Sequence, residues 1–547
     1  LIRGDEWHHW MMTTDRYRVQ EGKKGYIYYS QRLLNGDVVP SKQKAHNPGQ
    51  RKKKEVCWLH RYGIAKVPPR YRLKVDDAQC TTHNEQRAPR MVSAHTVIPR
   101  STVGKRFLPP RGLVILVNFQ DVHFTTPRAE MDSMYNGQNY TRDYSYIYPG
   151  DDTPTHYTSQ GSVQQYFREN SLGQYQPTFD LVGPVTVSQN MAYYGENDAS
   201  GYDKNPEAMI TEACKLVKDS INYADYDADN DGKVDYIYVI YAGYGEADSQ
   251  GEMPNAIWPH SGSIPTLTLD NKQISLYACG CELSYFSKLH DGIGTFCHEF
   301  SHVMGLPDIY ETTGQTVYKT SGTWDIMDYG IYNNDGNTPC GYTAYERFFM
   351  GWIQPVLLDT AQNDTLPALA STGKAYMITA DGTSNLNGTN PKPTEFYLLE
   401  NRQRVGWDAY LMGQGMLITK VRYNASIWSG NSVNNNNDLH MDIIEADGIQ
   451  SEWDPTGQDY GWYGKQGDCF PYEQTDFFTP YTAYPITNIT QEENGNITFQ
   501  FMGGKEPTAI NGLQCTMHHA RFIYKGQIYI RKGGKTYNLL GHEVHLL

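Results

Sequence analysis

At 547 residues the chain is too long for one compact core, so two or more domains are expected. Its 39% apolar and 20% charged residues exclude a disordered polymer, and a net charge of −14 argues against a nucleic-acid binder. Aromatics at 13%, led by 43 tyrosines, favour strands and turns over helical bundles, and no apolar run has the length of a bilayer-spanning helix.

The sequence opens at Leu1 with no signal-type apolar segment, so an exported form would have lost its signal already. Residues 1–104 read as a separate leader. Within it, Lys23 to Ser30 is rich in tyrosine and suits a strand of a small β unit. From Lys42 to Lys74 basic residues dominate, with Arg51, Lys52, Lys53 and Lys54 consecutive; this reads as a solvated segment. Ala88 to Lys105 shows no periodicity. Nine cysteines without CxxC pairs exclude a zinc ribbon and a dense disulfide framework.

A new start comes at Gly112, where GLVILVNF is an apolar run suited to a buried central strand. Helices are predicted over Ser162 to Glu169 and Pro206 to Ile221. The second would have Asn205 as N-cap and an apolar stripe of Met209, Ala213, Leu216 and Val217. Val234 to Ala242 and Ile274 to Cys279 read as strands, which makes residues 105–355 an α/β unit. Beyond Trp352, short strands split by Gly, Asn and Pro turns predict a β-sandwich over 356–505, and Asn434 to Asn437 reads as a loop.

The chemistry concentrates in Asp291 to Tyr310, DGIGTFCHEFSHVMGLPDIY. On a helix, Ile293, Phe296, Phe300 and Met304 share one face, while His298 and His302 lie one turn apart on another. Two imidazoles at that spacing reach one Zn²⁺, and Glu299 is placed to take a proton from water at the metal. Gly305 can adopt the left-handed conformation that ends a helix, bringing Asp308 back as a third ligand. Downstream, in SGTWDIMDYG, Met327 would form a hydrophobic floor under the ion and Tyr329 would direct its hydroxyl to a substrate oxyanion. Core packing is the alternative for Met327.

In GTFCHEFSHVMGLPDIY, WDIMDYG and PCGYTAYERFFMGW the chain resembles the immune inhibitor A family of secreted bacterial zinc metallopeptidases, which are metzincin-like. GSVQQYFRENSLGQY, VGPVTV, DNDGKVDYIYVIYAGYGEA and IWPH upstream, and LLENRQRVGWDAYLMGQGMLI and MDIIEADG downstream, extend the likeness over roughly residues 105–505. The resemblance implies zinc on His298, His302 and Asp308, Glu299 as base and Met327 in the Met-turn. It further implies a multidomain α+β architecture: a small β-rich pro-segment, a zincin-like catalytic domain and a C-terminal β-sandwich. GDEWHHWMMTTDRY is similar to the family's pro-segments, so residues 1–104 would act as the chain's own inhibitor and the protein would be a zymogen. Cys57 and Cys80 are the candidate thiolates for blocking zinc, with chance free cysteines as the alternative. Residues 506–547, with GQIYIRKGGKTYNLLGHEV, look like a C-terminal β module of exported proteins, either a sorting tail or an extra hairpin.

Asp225, Asp227, Asp229, Asp231 and Asp235 form an acidic turn with Gly232 at its bend, a candidate Ca²⁺ site. Twelve residues into a loop begun at Asp227 stands Tyr238, so this is no EF-hand; a solvated Asp-rich turn is the alternative. His260 in IWPH points into a cleft or is a surface or core histidine. The expected function is a secreted or cell-surface zinc endopeptidase acting on proteins or peptides, with no nucleic-acid partner and no transmembrane segment. The alternatives are a non-catalytic adhesion protein on a protease-derived fold and a zinc hydrolase of small substrates.

Overall fold

The computed structural model describes residues 109–504, apart from 147–154, 199–200, 248, 250–251, 286, 313–317, 320, 436–438, 449–451 and 454–463. It also describes residues 2–4, 9–12, 18–21, 27–32, 38–46, 101–102, 105–106, 519–524, 527–532, 535–538 and 544. Cys57, Cys80, the basic run 51–74 and most of the aperiodic stretch 88–105 lie outside the described residues.

GLVILVNF forms an inner strand, Arg111–Asn118, with every residue from Gly112 to Val117 buried. It pairs in parallel with Thr178–Thr186 on one side and Ile237–Tyr244 on the other, and the latter pairs in parallel with Lys272–Leu283. His260–Leu269 closes that edge as an antiparallel strand. Alternation along the strands feeds two cores. Leu113, Ile115, Val117, Ile237 and Val239 face the helix Pro206–Val217, while Val114, Leu116, Tyr236, Tyr238 and Ile240 face the histidine-bearing helix Gly294–Val303. Burial on both faces explains the continuous apolar runs.

Pro206–Val217 departs from expectation in three ways. It stops four residues before Ile221, its N-cap Asn205 donates to the Tyr193 carbonyl instead of accepting from the helix, and Leu216 is exposed. Its buried stripe is Met209, Ile210, Ala213, Cys214 and Val217, so Ile210 and Cys214 take the positions next to the stripe that Leu216 was expected to fill. Over Val163–Asn170 the helix is capped by Ser162, whose hydroxyl accepts from Gln165 N at 3.1 Å. The tyrosine-rich leader segment is a strand at Ile27–Arg32, in a five-stranded antiparallel meander running from Ile2–Gly4 to Val38–Lys44.

After residue 355 a five-stranded sheet and a three-stranded sheet follow. Glu395–Arg402 is central to the larger one. Phe396 and Leu398 point into the core around the histidine-bearing helix, whereas Tyr397 and Leu399 point into a third core shared with Ile489, Ile497 and Phe499 of the smaller sheet. The sheet is thus a middle layer, and the main core crosses residue 355. In the C-terminal tail, His519–Tyr524, Gln527–Lys532 and Lys535–Asn538 pair as a three-stranded antiparallel sheet.

A buried charge cluster ties the two regions. Arg402, with no exposed surface, binds Asp408 through Nε at 2.8 Å and a terminal nitrogen at 2.6 Å, and Glu400 at 3.1 Å. It also donates to the carbonyls of Trp324 at 2.9 Å and Gly341 at 3.0 Å. All five of its donor directions therefore meet oxygen, which offsets the cost of burying the guanidinium. Arg402→Met should strand two buried carboxylates and lower the unfolding free energy by about 3–5 kcal/mol. Urea denaturation followed by tryptophan fluorescence measures this, and a loss below about 1 kcal/mol would contradict the role given to Arg402.

Candidate metal centre

The motif helix is anchored by aromatics. Phe296 meets Tyr238 at 4.6 Å, Tyr135 at 4.7 Å and Phe179 at 5.0 Å between ring centroids, and Phe300 meets Tyr236 at 4.8 Å and Phe167 at 5.1 Å. Most of these pairs are edge-to-face, the arrangement the ring quadrupoles favour. At the helix start the chain passes so close to Ile331 that a side chain on Gly294 would overlap its carbonyl oxygen. The helix is fixed before any polar residue acts.

Its end is a Schellman bend. Gly305 takes φ 90°, Gly305 N donates to His302 O at 2.8 Å, and Leu306 N donates to Ser301 O at 3.0 Å. The reversal carries Asp308 back over the helix. Asp308 Oδ1 then lies 3.2 Å from His298 Nε2 and 3.3 Å from His302 Nε2. His298, His302 and Asp308 are all at least 95% buried. Gly305→Ala would force a Cβ into left-handed geometry and should cost about 1–2 kcal/mol of stability. Thermal unfolding checks this, and an unchanged Tm would contradict the strain argument.

Backbone carbonyls set both imidazoles. His298 Nδ1 lies 2.9 Å from Ile326 O and His302 Nδ1 lies 2.8 Å from Leu306 O. A carbonyl can only accept, so each Nδ1 carries hydrogen and each Nε2 turns toward the carboxylate. A tetrahedral zinc with bonds of about 2.0–2.1 Å keeps its ligand atoms about 3.3 Å apart, which is the spacing of both Nε2–Oδ1 pairs. Two neutral nitrogens and one hard anionic oxygen are a donor set suited to that ion, so the residues fit it. The same negative charge acts on protons. Burial disfavours the charged His298 ring, but Asp308, Glu299 and the Ile326 carbonyl together raise its pKa to about 9.

Residues 109–353 match the family model for the immune inhibitor A peptidase M6 catalytic domain. Over this segment the chain is similar to the immune inhibitor A peptidases. Immune inhibitor A of Bacillus thuringiensis subsp. alesti is 26% identical over 267 residues, covering 43% of this chain and 39% of that protein. The pre-pro-metalloprotease PrtV of Vibrio cholerae serotype O1 is 24% identical over 282 residues, 44% of this chain and 30% of that protein. The matches thus span well under half of either relative's length. The resemblance read from the sequence is borne out over residues 109–353, and a metallopeptidase family implies a metal.

Within the matched segment, Glu299 is buried one residue after His298, and its charge, after burial itself, helps raise the Tyr236 phenol well above its ordinary pKa. Met327 is fully buried; its N–H donates to Asp325 Oδ1 at 2.8 Å and its carbonyl accepts from Ile309 N at 2.9 Å. The Ile326–Met327 backbone thereby supports both His298 and the segment just after Asp308. Tyr329, half-buried, opens the short 3-10 turn Tyr329–Tyr332, with its N–H on Asp328 Oδ1. Tyr310, to which sequence reasoning gave no role, has its hydroxyl buried, and burial, Asp308 and Glu299 push its pKa well up. His260 is a core histidine, held between Trp258 O at 2.6 Å and the Tyr277 hydroxyl at 2.7 Å.

Of the acidic turn, Asp227, Asp229 and Asp235 bring carboxylate oxygens within 4.8 Å of one another. Asp225 and Asp231 are not in that group. Asp225 lies 3.7 Å from Arg111, and Asp231 Oδ1 accepts from Lys233 N at 2.8 Å. Alternate spacing along the chain makes the five look equivalent, but the turn at Asn230, with φ 57°, aims them differently. Lys272 Nζ already lies 2.6 Å from Asp227 Oδ2.

The other residue that sequence reasoning missed is Asn431. Its Oδ1 accepts from Asp308 N at 2.7 Å and its Nδ2 donates to Asp308 Oδ2 at 2.6 Å. Of the Asn434 to Asn437 run, read as a loop, 436–437 lie outside the described residues, and Asn434 is 98% buried with its amide on Ile309 O at 2.8 Å.

Proposed function

We propose that the chain is a secreted zinc endopeptidase, with His298, His302 and Asp308 as metal ligands and Glu299 as general base. The observation carrying this reading is the convergence of two inward-turned Nε2 atoms on one carboxylate oxygen at tetrahedral spacing. The names of the relatives, an immune inhibitor A and a pre-pro-metalloprotease, support a peptidase made as a precursor.

Zinc, when bound, supplies Lewis acidity, bringing the pKa of a water toward neutrality and polarising a carbonyl. Glu299 takes the proton from the attacking water and returns it to the leaving amine, so one carboxylate serves as base and then acid. Tyr329 donates its hydroxyl to the oxyanion of the tetrahedral species. Met327 is the buried residue of the Met-turn; the Ile326 carbonyl before it keeps the His298 ring from rotating, and the Leu306 carbonyl does the same for His302. Burial of the centre excludes bulk water and strengthens each of these interactions.

In this reading residues 1–104 are an inhibitory pro-segment, 105–355 the catalytic domain, 356–505 a β-sandwich and 506–547 a C-terminal β module. Among the described residues no helix is long and apolar enough to cross a membrane. The rival reading of a non-catalytic adhesion protein is disfavoured by the intact donor set and by Glu299 beside it.

Glu299→Gln, made in the leader-free form, should retain one zinc per chain and lose about 10²–10⁴-fold in kcat on casein-derived peptides. Retained turnover would remove Glu299 from the base role. Tyr329→Phe should lower kcat about 10²–10³-fold with little change in KM; an unchanged kcat removes Tyr329.

Calcium on Asp227, Asp229 and Asp235 is part of the same proposal, supported by three converging carboxylates with Lys272 now holding the positive charge among them. Lys272→Met should therefore tighten calcium binding measured by titration calorimetry. Absence of binding in both forms would end the calcium reading.

A further inference from the structure

We infer that Asn431, which lies outside the matched peptidase domain, is the positioning residue for Asp308, so that metal affinity at the histidine centre is set by the downstream β region. The inference rests on reading that centre as a metal site.

A carboxylate side chain has a broad, roughly two-fold terminal torsion, and either oxygen can face an ion. Asn431 removes that freedom at Asp308. One amide group grips the residue at two points, the main-chain N–H through Oδ1 at 2.7 Å and the carboxylate Oδ2 through Nδ2 at 2.6 Å. With Oδ2 held, Oδ1 is the oxygen turned to His298 and His302. Both partners are buried, Asp308 completely and Asn431 with 6% exposure, so the two bonds act where water does not compete. The chemistry of the amide matters as well. A lysine or arginine would hold the carboxylate equally well but cancel the negative charge that a cation needs, whereas an amide orients it and leaves the charge in place.

The clamp is itself fixed on both sides. Asn431 takes φ 50°, a left-handed conformation that asparagine tolerates better than most residues. It follows the short helix Ala425–Ser429, which is capped by Asn424. Three residues on, Asn434 Nδ2 binds Ile309 O and Met441 O, both at 2.8 Å, joining the segment after Asp308 to the strand Met441–Ile443. Asn435 Oδ1 accepts from Thr312 N at 2.8 Å, and Thr312 Oγ1 returns a bond to Asn431 O at 3.2 Å. Three asparagines from one downstream loop thus grip residues 308–312, and of the three it is Asn431 that binds the carboxylate.

The test uses the full chain. Asn431→Gly keeps the left-handed backbone and removes both bonds. Asn434→Ala loosens the same loop without touching Asp308. Zinc affinity is measured by competition with a chromophoric chelator, and the visible spectrum of the cobalt-substituted protein reports the geometry of the ligand set. Asn431→Gly should weaken zinc binding about 10–100-fold and change the cobalt bands. Asn434→Ala, which leaves both bonds to Asp308 in place, should lower Tm and weaken zinc binding far less than Asn431→Gly does. Wild-type zinc affinity in Asn431→Gly, or equal weakening in both variants, would overturn the clamp. Should the glycine variant fail to fold, Asn431→Asp keeps the acceptor for Asp308 N–H but faces Oδ2 with an oxygen, and altered cobalt bands are expected there too; unaltered bands would overturn the clamp. Failure of the wild type to bind zinc would instead refute the metal reading, and the inference with it.

Discussion

Two histidines and an aspartate buried together must be paired or hold a cation, because an uncompensated charge of that kind in a low-dielectric interior is costly. That constraint organises the centre of this protein. Leu306 and Ile326 present carbonyl oxygens to the outer nitrogens of the rings, which commits the inner nitrogens to face Asp308. Leu306 stands in that place because Gly305 reverses the chain, and Ile326 because Met327 pairs its own carbonyl with Ile309. The aromatic seat of Phe296 and Phe300 then fixes the distance of the whole assembly from the sheet.

The matched peptidase domain does not complete this arrangement alone. Its main core includes Phe396, Leu398, Leu417 and Val421 from the downstream sheet, and Arg402 from that sheet donates to the carbonyls of Trp324 and Gly341 on either side of the Met327 segment. The downstream region therefore braces the Met327 turn through Arg402 and touches Asp308 through Asn431. A catalytic segment cut near residue 355 would expose apolar surface and lose both supports, so the two regions are expected to unfold as one cooperative unit.

What the sequence disclosed was mostly local. The 3.6-residue period of Ile293, Phe296, Phe300 and Met304, the one-turn spacing of the histidines and the glycine before Asp308 all act within twenty residues, where helix geometry relates position to direction. The continuous run GLVILVNF likewise declared a strand buried on both faces. Long-range pairings left no such trace. Asn431 is 123 residues from Asp308 and sits in an asparagine-rich stretch that ordinarily signals a turn. Arg402 is a charge, and charges are usually exposed, so its complete burial had no signature. Leu216 misled because an apolar residue at the margin of a helical stripe can fall on either side of it. In the acidic turn, alternate spacing does not report which carboxylates converge: those of Asp227, Asp229 and Asp235 do, while Asp231 turns an oxygen to Lys233 N.

The central claim is that one divalent ion is held by His298, His302 and Asp308. The most direct measurement is anomalous diffraction at the zinc edge from crystals of the zinc-supplemented protein. The account predicts a single strong peak about 2.0–2.2 Å from both Nε2 atoms and from Asp308 Oδ1. A zinc-replete crystal with no peak between these three side chains, or with the ion bound elsewhere and Asp308 turned away, would contradict it.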